Sequence, residues 1–285
     1  MKYQPIIIIG APRSGTNMLR DVLCELEGFG TWPCDEINYI WRHGNIREET
    51  DEFGCELATE KVKKFIRNEF DNFARKNNLN ILVEKTCANS YRVPFVDEVI
   101  PDAKYIFIYR DGVDVVGSSI IRWKASLDLP YIMKKVRYVP MSDLFYYASR
   151  YLGNHVYRLF SKEKRLAFWG PKFKGYKEAL EKYSLPEVCA LQWKASIKLS
   201  EKAFLNMPKE KVSKVRYEDF VTNPNKELKR ILTELNICPN GDSINKATAK
   251  VSNKSIGKGR KALDETTLNK VTQLIGDLLD KYNYQ

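Results

Sequence analysis

Residues 6–17 constrain the fold more than any other stretch of the chain: Ile6-Ile7-Ile8-Ile9 runs straight into Gly10-Ala11-Pro12-Arg13-Ser14-Gly15-Thr16-Asn17. Four consecutive isoleucines read as a strand covered on both faces, the pattern of a parallel sheet. The glycine-bracketed turn and helix start that follow point successive backbone N–H groups at one spot, where the helix dipole favours an anion by ~0.3–1 kcal/mol. The turn is therefore expected to cradle a phosphate. Gly10 and Gly15 have the spacing of a Walker A loop, but Thr16 and Asn17 stand where that motif needs Lys and Ser/Thr. Without a lysine for the β/γ-phosphates and a hydroxyl for magnesium, an ATP- or GTP-hydrolysing site is not expected. Arg13 supplies the charge from within the turn instead.

Ile81–Val83, Tyr105–Tyr109 and Val212–Tyr217 read as further strands, and helical patterns follow near 16–27, 91–99, 112–124 and 225–236. This alternation argues for an α/β fold, a doubly wound parallel sheet flanked by helices. Leu191–Met207 reads as a long amphipathic helix and Asp264–Tyr282 as a closing one with Asp264 as its N-cap. Between 125 and 190 a Tyr-, Phe- and Lys-rich stretch, punctuated by Pro130, Pro140, Pro171 and Pro186, reads as a helical substrate cap inserted in the middle of the fold. No repeat and no Gly-, Ser- or Pro-rich linker divides the chain, so residues 1–285 are expected to form a single domain.

The chain is 44% hydrophobic and 29% charged, which suits a globular protein and excludes a disordered one. Its 47 Lys and Arg against 36 Asp and Glu, a net charge of +11, call for an anionic partner: nucleic acid, a membrane surface or a phosphorylated small molecule. Lys134–Tyr138 and Phe168–Lys174 mix basic and aromatic residues, but they carry no nucleic-acid-binding signature and read as solvated faces. Cys24, Cys34, Cys55, Cys87, Cys189 and Cys238 form no CxxC pair and no ligand-like cluster with His43 or His155, so no metal is expected. Reduced, mostly buried thiols of a cytoplasmic protein are expected instead. The isoleucine run is too short for a signal or membrane segment and there is no lipidation motif, so no membrane partner is expected either.

Position ties these features together, because ligands of an open parallel sheet bind beyond the carboxyl ends of its strands. Gly10–Thr16, Lys85, Arg110 and Tyr217 each end or follow one of the four strands. If the strands are parallel, Arg13, Lys85 and Arg110 share one rim, suited to a ligand with two separate anionic groups. Arg110 and Ser118, eight residues apart, reach one phosphate only if the helix from Gly112 passes across the strand end. Taken alone, Arg110 is equally an ion-pair partner for Asp111 or Asp114.

With these motifs the chain resembles the sulfotransferase superfamily that uses 3′-phosphoadenosine 5′-phosphosulfate (PAPS). In that family a Pro-Arg/Lys-Ser-Gly-Thr loop holds the 5′-phosphosulfate, matched here by Pro12, Arg13, Ser14, Gly15 and Thr16, with Asn17 after them. An Arg and a Ser eight residues apart hold the 3′-phosphate, matched by Arg110 and Ser118. Glu84-Lys85-Thr86 follows the second strand, and Tyr217-Glu218-Asp219 supplies a Tyr near the adenine. Ser255, Ile256, Gly257, Lys258, Gly259 and Arg260, with Lys261, resemble the carboxyl-terminal loop that closes over the nucleotide. These matches run in family order from 6 to 261. The resemblance implies PAPS as co-substrate without a metal, and transfer of its sulfonate to a hydroxyl or nitrogen with release of 3′-phosphoadenosine 5′-phosphate (PAP).

One departure affects the chemistry. Animal cytosolic members carry Lys-Thr-His at the second strand end with His as general base, whereas this chain has Lys85-Thr86-Cys87. Tyrosylprotein and carbohydrate sulfotransferases use a Glu soon after the first helix, so the resemblance points to Glu36 as base, with Asp35 or Cys87 as alternatives, and to Lys85 and Arg13 as catalytic cations. Asp35, Glu36, Trp123, Tyr147 and Trp169 are the candidates for the acceptor side. Asp35, Glu36, Glu48 and Glu49 suggest an acidic mouth for a cationic small molecule, such as an amine- or guanidine-bearing natural product. A P-loop nucleotide kinase is the rival enzyme reading, and a nucleic-acid-binding module a lesser one.

Overall fold

The computed structural model describes residues 3–123, 137–147, 149, 168–238 and 241–284. β1 (Gln4–Ile9) leads into α1 (Thr16–Cys24), the short strand β2 (Phe29–Gly30), α2 (Asn38–Trp41) and the long α3 (Glu60–Lys76). β3 (Ile81–Lys85) is followed by a 3₁₀ turn (Cys87–Tyr91) and α4 (Val93–Val99), and β4 (Lys104–Tyr109) by α5 (Gly112–Trp123). Later come α6 (Tyr176–Lys182), α7 (Leu185–Phe204), β5 (Val212–Arg216), α8 (Tyr217–Thr222), α9 (Pro224–Glu234), α10 (Gly241–Thr248), α11 (Lys258–Lys261) and α12 (Glu265–Lys281). The strands lie in the order β2-β3-β1-β4-β5 and every pairing is parallel.

β1 therefore sits at the centre, with β3 on one side and β4 on the other, and its successive isoleucines face opposite cores as the strand period requires. Ile6 and Ile8 pack with Leu19 and Leu23 of α1 and with Leu228 and Ile231 of α9. Ile7 and Ile9 pack with Ile66 and Phe70 of α3, Phe95 of α4 and Trp193 of α7. Each of the four isoleucines is fully buried, worth about 1.5–3 kcal/mol apiece. The chain fills the β2-β3 side of β1 first and then crosses to β4 and β5, so the strand order reverses at β1. That reversal opens a crevice beyond its carboxyl end.

The doubly wound parallel sheet is as the sequence implies, with changes at particular boundaries. β5 stops at Arg216, and Tyr217 begins α8 instead of ending the strand. α7 starts at Leu185, before the expected Leu191, because Ser184 and Glu187 form a capping box and Pro186 fits the first helical turn. α3 was not anticipated. It is opened by the Thr59 side chain, which accepts from the Val62 N–H, and buries Val62, Ile66, Phe70 and Ala74 on one face. Asp264 caps α12 as expected, accepting from the Thr267 N–H at 2.8 Å. All six cysteines are free thiols, but only Cys34, Cys87 and Cys189 are buried, and Cys55 and Cys238 are exposed. Of the cap expected over 125–190, residues 125–136, 148 and 150–167 lie outside the described residues. No helix among the described residues is long and apolar enough to cross a membrane.

A buried polar network lies under the carboxyl end of β3. Glu84, 1% exposed, accepts hydrogen bonds from the Thr86 hydroxyl and from Asn89 Nδ2 at 3.0 Å. Thr86 Oγ1 accepts in turn from the Ile37 N–H at 3.2 Å, and Arg92 Nε donates to Asn89 Oδ1 at 2.9 Å. Burial pushes the Glu84 carboxyl from its ordinary 4.5 up to about 7, against the opposing pull of the Thr86 hydrogen bond and the Lys85 charge. The folded protein thus holds this proton to a higher pH than the unfolded chain does. The resulting stabilisation is complete below pH 4.5 and is lost as pH rises toward 7. Unfolding free energies from urea titrations between pH 5 and 8 should fall for the wild type by on the order of 3 kcal/mol from this group, and Glu84→Gln should flatten that slope. Parallel slopes for the two proteins would show that Glu84 does not carry it.

Candidate functional site

The turn between β1 and α1 is built by two left-handed residues. Gly15, at φ 87, caps α1, and a Cβ placed there would lie 2.4 Å from the Tyr217 ring, so only glycine fits between turn and ring. Arg13 also has a positive φ, 70, a conformation that costs a non-glycine residue about 1–2 kcal/mol. The compensation comes from the neighbouring strand, because Arg110 Nη1 donates to the Arg13 carbonyl at 3.2 Å. Ser14 is fully buried within the turn, and its hydroxyl has no hydrogen-bond partner.

Arg110 leaves the end of β4 and is 6% exposed. Its guanidinium stacks over the Tyr217 ring at 4.4 Å, while Nη2 donates to Asp114 Oδ2 at 3.1 Å and to the Ser255 carbonyl at 2.6 Å. Of the two ion-pair partners open from the sequence, the structure has Asp114. Ser118, about two turns along α5, accepts from Arg13 Nε at 2.9 Å. Arg13 thus links the two, its side chain bonded to Ser118 and its carbonyl to Arg110. Arg110 Nε is buried without a hydrogen-bond partner.

Lys85, at the end of β3, is the buried cation of the site, its side chain 1% exposed. Its Nζ lies 3.1 Å from both Asp35 Oδ1 and Glu36 Oε1. Burial alone would lower the lysine's pKa, but Glu36 and Asp35 hold it above the ordinary value, so the ammonium keeps its charge. Glu36 Oε1 also accepts from the Cys87 N–H at 3.3 Å, and Asp35 Oδ1 from Arg20 Nη1 at 2.9 Å. Burial, and then the Glu36 charge, push the Cys87 thiol well above its ordinary range, so it stays protonated and is no base.

These groups meet in one cavity of about 690 Å³. Pro12, Arg13, Gly15, Thr16, Asn17, Arg110, Tyr217 and Ser255 line it, as do Lys85, Asp35, Glu36 and Trp169. Ser14 and Ser118 lie behind the wall, joined to it through the turn and through Arg13. Ile256 is 42% exposed, and Gly257, Lys258, Gly259 and Arg260 lie off the wall around the start of α11. Trp123 is fully buried edge-on to Phe168 in the core, and Tyr147 packs edge-on to Tyr39; neither reaches the cavity. Glu48 and Glu49 are not on the wall, and Asp35 and Glu36 are matched by Arg20 and Lys85. The expected acidic mouth is therefore not assembled among the described residues.

Met18, Asn38, Ala88, Arg122, Gly170 and Pro171 also line the cavity and were not singled out from the sequence. Arg122 was legible by helical spacing, four residues beyond Ser118 on the same face of α5. Among the described residues the wall carries four cations, Arg13, Lys85, Arg110 and Arg122, against two carboxylates, which suits a multiply charged anion. Among the described residues no cluster of three or more His, Cys, Asp or Glu side chains is arranged to hold a metal ion.

A sequence profile of the sulfotransferase family matches residues 5–155, while no curated protein sequence matches the chain. Among solved structures, a sulfotransferase domain from the curacin biosynthetic pathway superposes with a TM-score of 0.55 at 13% identity, over 97% of each chain. A sulfotransferase domain of an olefin synthase from Synechococcus PCC 7002 gives 0.54 at 15% identity, over 98% of this chain and 96% of its own. A sulfotransferase from Mycobacterium avium gives 0.56 at 12% identity, over 100% of this chain and 78% of its own. At such identities the superpositions speak to the fold, which is the one built above. The profile spans more than half of the sequence and includes the β1–α1 turn, Lys85 and Arg110, and on that match the chain belongs to the sulfotransferase family.

Proposed function

We propose that the chain moves the sulfonate of PAPS to a hydroxyl or nitrogen of a small-molecule acceptor and releases PAP. The observation that supports this most is a single cavity whose wall holds Arg13 and Arg110 together with Lys85 and Glu36. The turn N–H groups and Arg13 would hold the 5′-phosphosulfate, and Arg110 with Ser118 the 3′-phosphate. Tyr217, stacked under Arg110 and against Gly15, offers its ring to the adenine. In this reading residues 1–285 act as one catalytic unit, with the acceptor entering on the side of Trp169.

The acceptor's lone pair would attack sulfur as the bond from sulfur to the 5′-phosphate oxygen breaks, and the electron pair would leave with PAP. Charge grows on that departing oxygen, where Lys85, Arg13 and the turn amides are preorganised donors. Glu36, 3.1 Å from Lys85, would take the proton that the acceptor loses as its bond to sulfur forms. Since Asp35 and Glu36 are already matched by Arg20 and Lys85, a cationic acceptor has no special support.

A nucleotide kinase would share the sheet and the turn, but it needs a lysine where Thr16 stands. Thermal melting separates the two: PAP should stabilise the protein without magnesium, whereas stabilisation only by ATP with magnesium would favour the kinase. Arg110→Ala removes charge-assisted bonds worth roughly 1.5–3 kcal/mol each, so it should weaken PAP far more than a nucleotide lacking the 3′-phosphate. Equal losses, measured by calorimetry, would refute that assignment. Glu36→Gln should slow turnover by about 10²–10⁴ with PAP affinity near wild type, and undiminished turnover would move the base elsewhere.

A further inference from the structure

One carboxylate outside the expected set touches both Arg110 and the 255–260 loop at the 3′ end of the proposed nucleotide site. Asp114, in the first turn of α5, is 1% exposed and has both oxygens fully engaged. Oδ2 accepts from Arg110 Nη2 at 3.1 Å and from the Gly257 N–H at 2.7 Å, and Oδ1 accepts from the Arg260 N–H at 3.0 Å. A single buried group thus fixes the arginine and receives the backbone of the 255–260 loop. Its neighbours reinforce the same contact: Asp111 Oδ2 pairs with Arg260 Nη2 at 3.3 Å, and the Asp111 N–H donates to Glu218 Oε1 at 3.1 Å.

The backbones also approach closely. A Cβ on Gly259 would lie 2.1 Å from the Asp114 carbonyl, and one on Gly117 would lie 2.2 Å from the Gly259 carbonyl. Loop and helix therefore meet through glycine faces. The docked loop in turn sets its Ser255 carbonyl 2.6 Å from Arg110 Nη2, at the cavity wall.

We propose that Asp114 is the positioning residue of the nucleotide site, a carboxylate that orients Arg110 and docks the 255–260 loop so that both meet the 3′-phosphate as one unit. The inference rests on the PAPS reading above. Asn at this position keeps the shape but loses the charge and one acceptor. Its amide N–H₂ then faces either the Arg260 N–H, or Arg110 and the Gly257 N–H together, and in each case a buried loop amide loses its acceptor.

The test uses the full chain. Calorimetry would compare PAP with adenosine 5′-phosphosulfate, which lacks the 3′-phosphate, and amide hydrogen exchange would follow Gly257 and Arg260. Asp114→Asn should weaken PAP by about 10-fold or more and adenosine 5′-phosphosulfate by less than about 3-fold, and both amides should lose protection. Gly259→Ala, which displaces the loop from Asp114 without altering either the Asp114 or the Arg110 side chain, should show the same selective loss. Equal weakening of both ligands, unchanged protection in Asp114→Asn, or a normal PAP affinity in Gly259→Ala would each overturn the proposal. Failure of the wild type to bind either nucleotide would instead overturn the PAPS reading, and exchange at Gly257 and Arg260 would still decide whether Asp114 docks the loop.

Discussion

Parallel pairing of β1 with β3 on one side and β4 on the other is the constraint from which the site follows. It aligns Ile8 with Lys85 and Ile9 with Phe107, so the turn after β1, the lysine ending β3 and the arginine after β4 all leave the sheet at its carboxyl edge. Hydrophobic burial on both faces holds the three strands in that register, because a slip of one residue would turn an isoleucine from one core into the other. The rim geometry is thus fixed by interactions that have no part in the chemistry. A strained residue such as Arg13 can persist there because its surroundings over-determine it.

Charge at the rim is arranged by depth. Lys85 is the deepest cation, and two carboxylates within 3.1 Å offset the cost of burying it. Arg110 is nearly as deep and has one carboxylate, Asp114, together with two backbone carbonyls. Arg13 is nearer the surface, its side chain donates to the Ser118 hydroxyl, and the nearby charges of Arg122 and Arg110 add to its burial in lowering its pKa. Positive charge therefore increases toward the part of the cavity reached by the turn amides, where an incoming anion gains most.

Much of this was legible in the chain, and the reason is periodicity. Apolar strands buried on both faces announce themselves as runs such as Ile6–Ile9, and the residue that follows each run sits at the rim whatever the helices do. β2 was not legible, because Phe29–Gly30 is too short to carry a pattern. α3 was missed although its buried stripe recurs every four residues, since the charged positions between Val62, Ile66, Phe70 and Ala74 mask it. Arg20 pairing with Asp35, and the core burial of Trp123, depend on how loops and helices meet, which local pattern does not encode. Asp114 was visible as a partner for Arg110, but its second role joins residues 143 and 146 positions away.

The use of a carboxylate at that junction is itself informative. A loop could be docked on α5 by apolar contact at lower cost, since burying a charge pair often gains no stability over hydrophobic packing. Apolar contact, however, would tolerate sliding of the loop along the helix. Two backbone amides bonded to the two oxygens of one carboxylate allow a single register, and the close glycine faces at Gly117 and Gly259 leave no room for another. The same carboxylate orients Arg110, so any shift of the loop disturbs the arginine, and any shift of the arginine disturbs the loop. A site that must place two anions of one ligand at a fixed separation gains more from that rigidity than from additional stability.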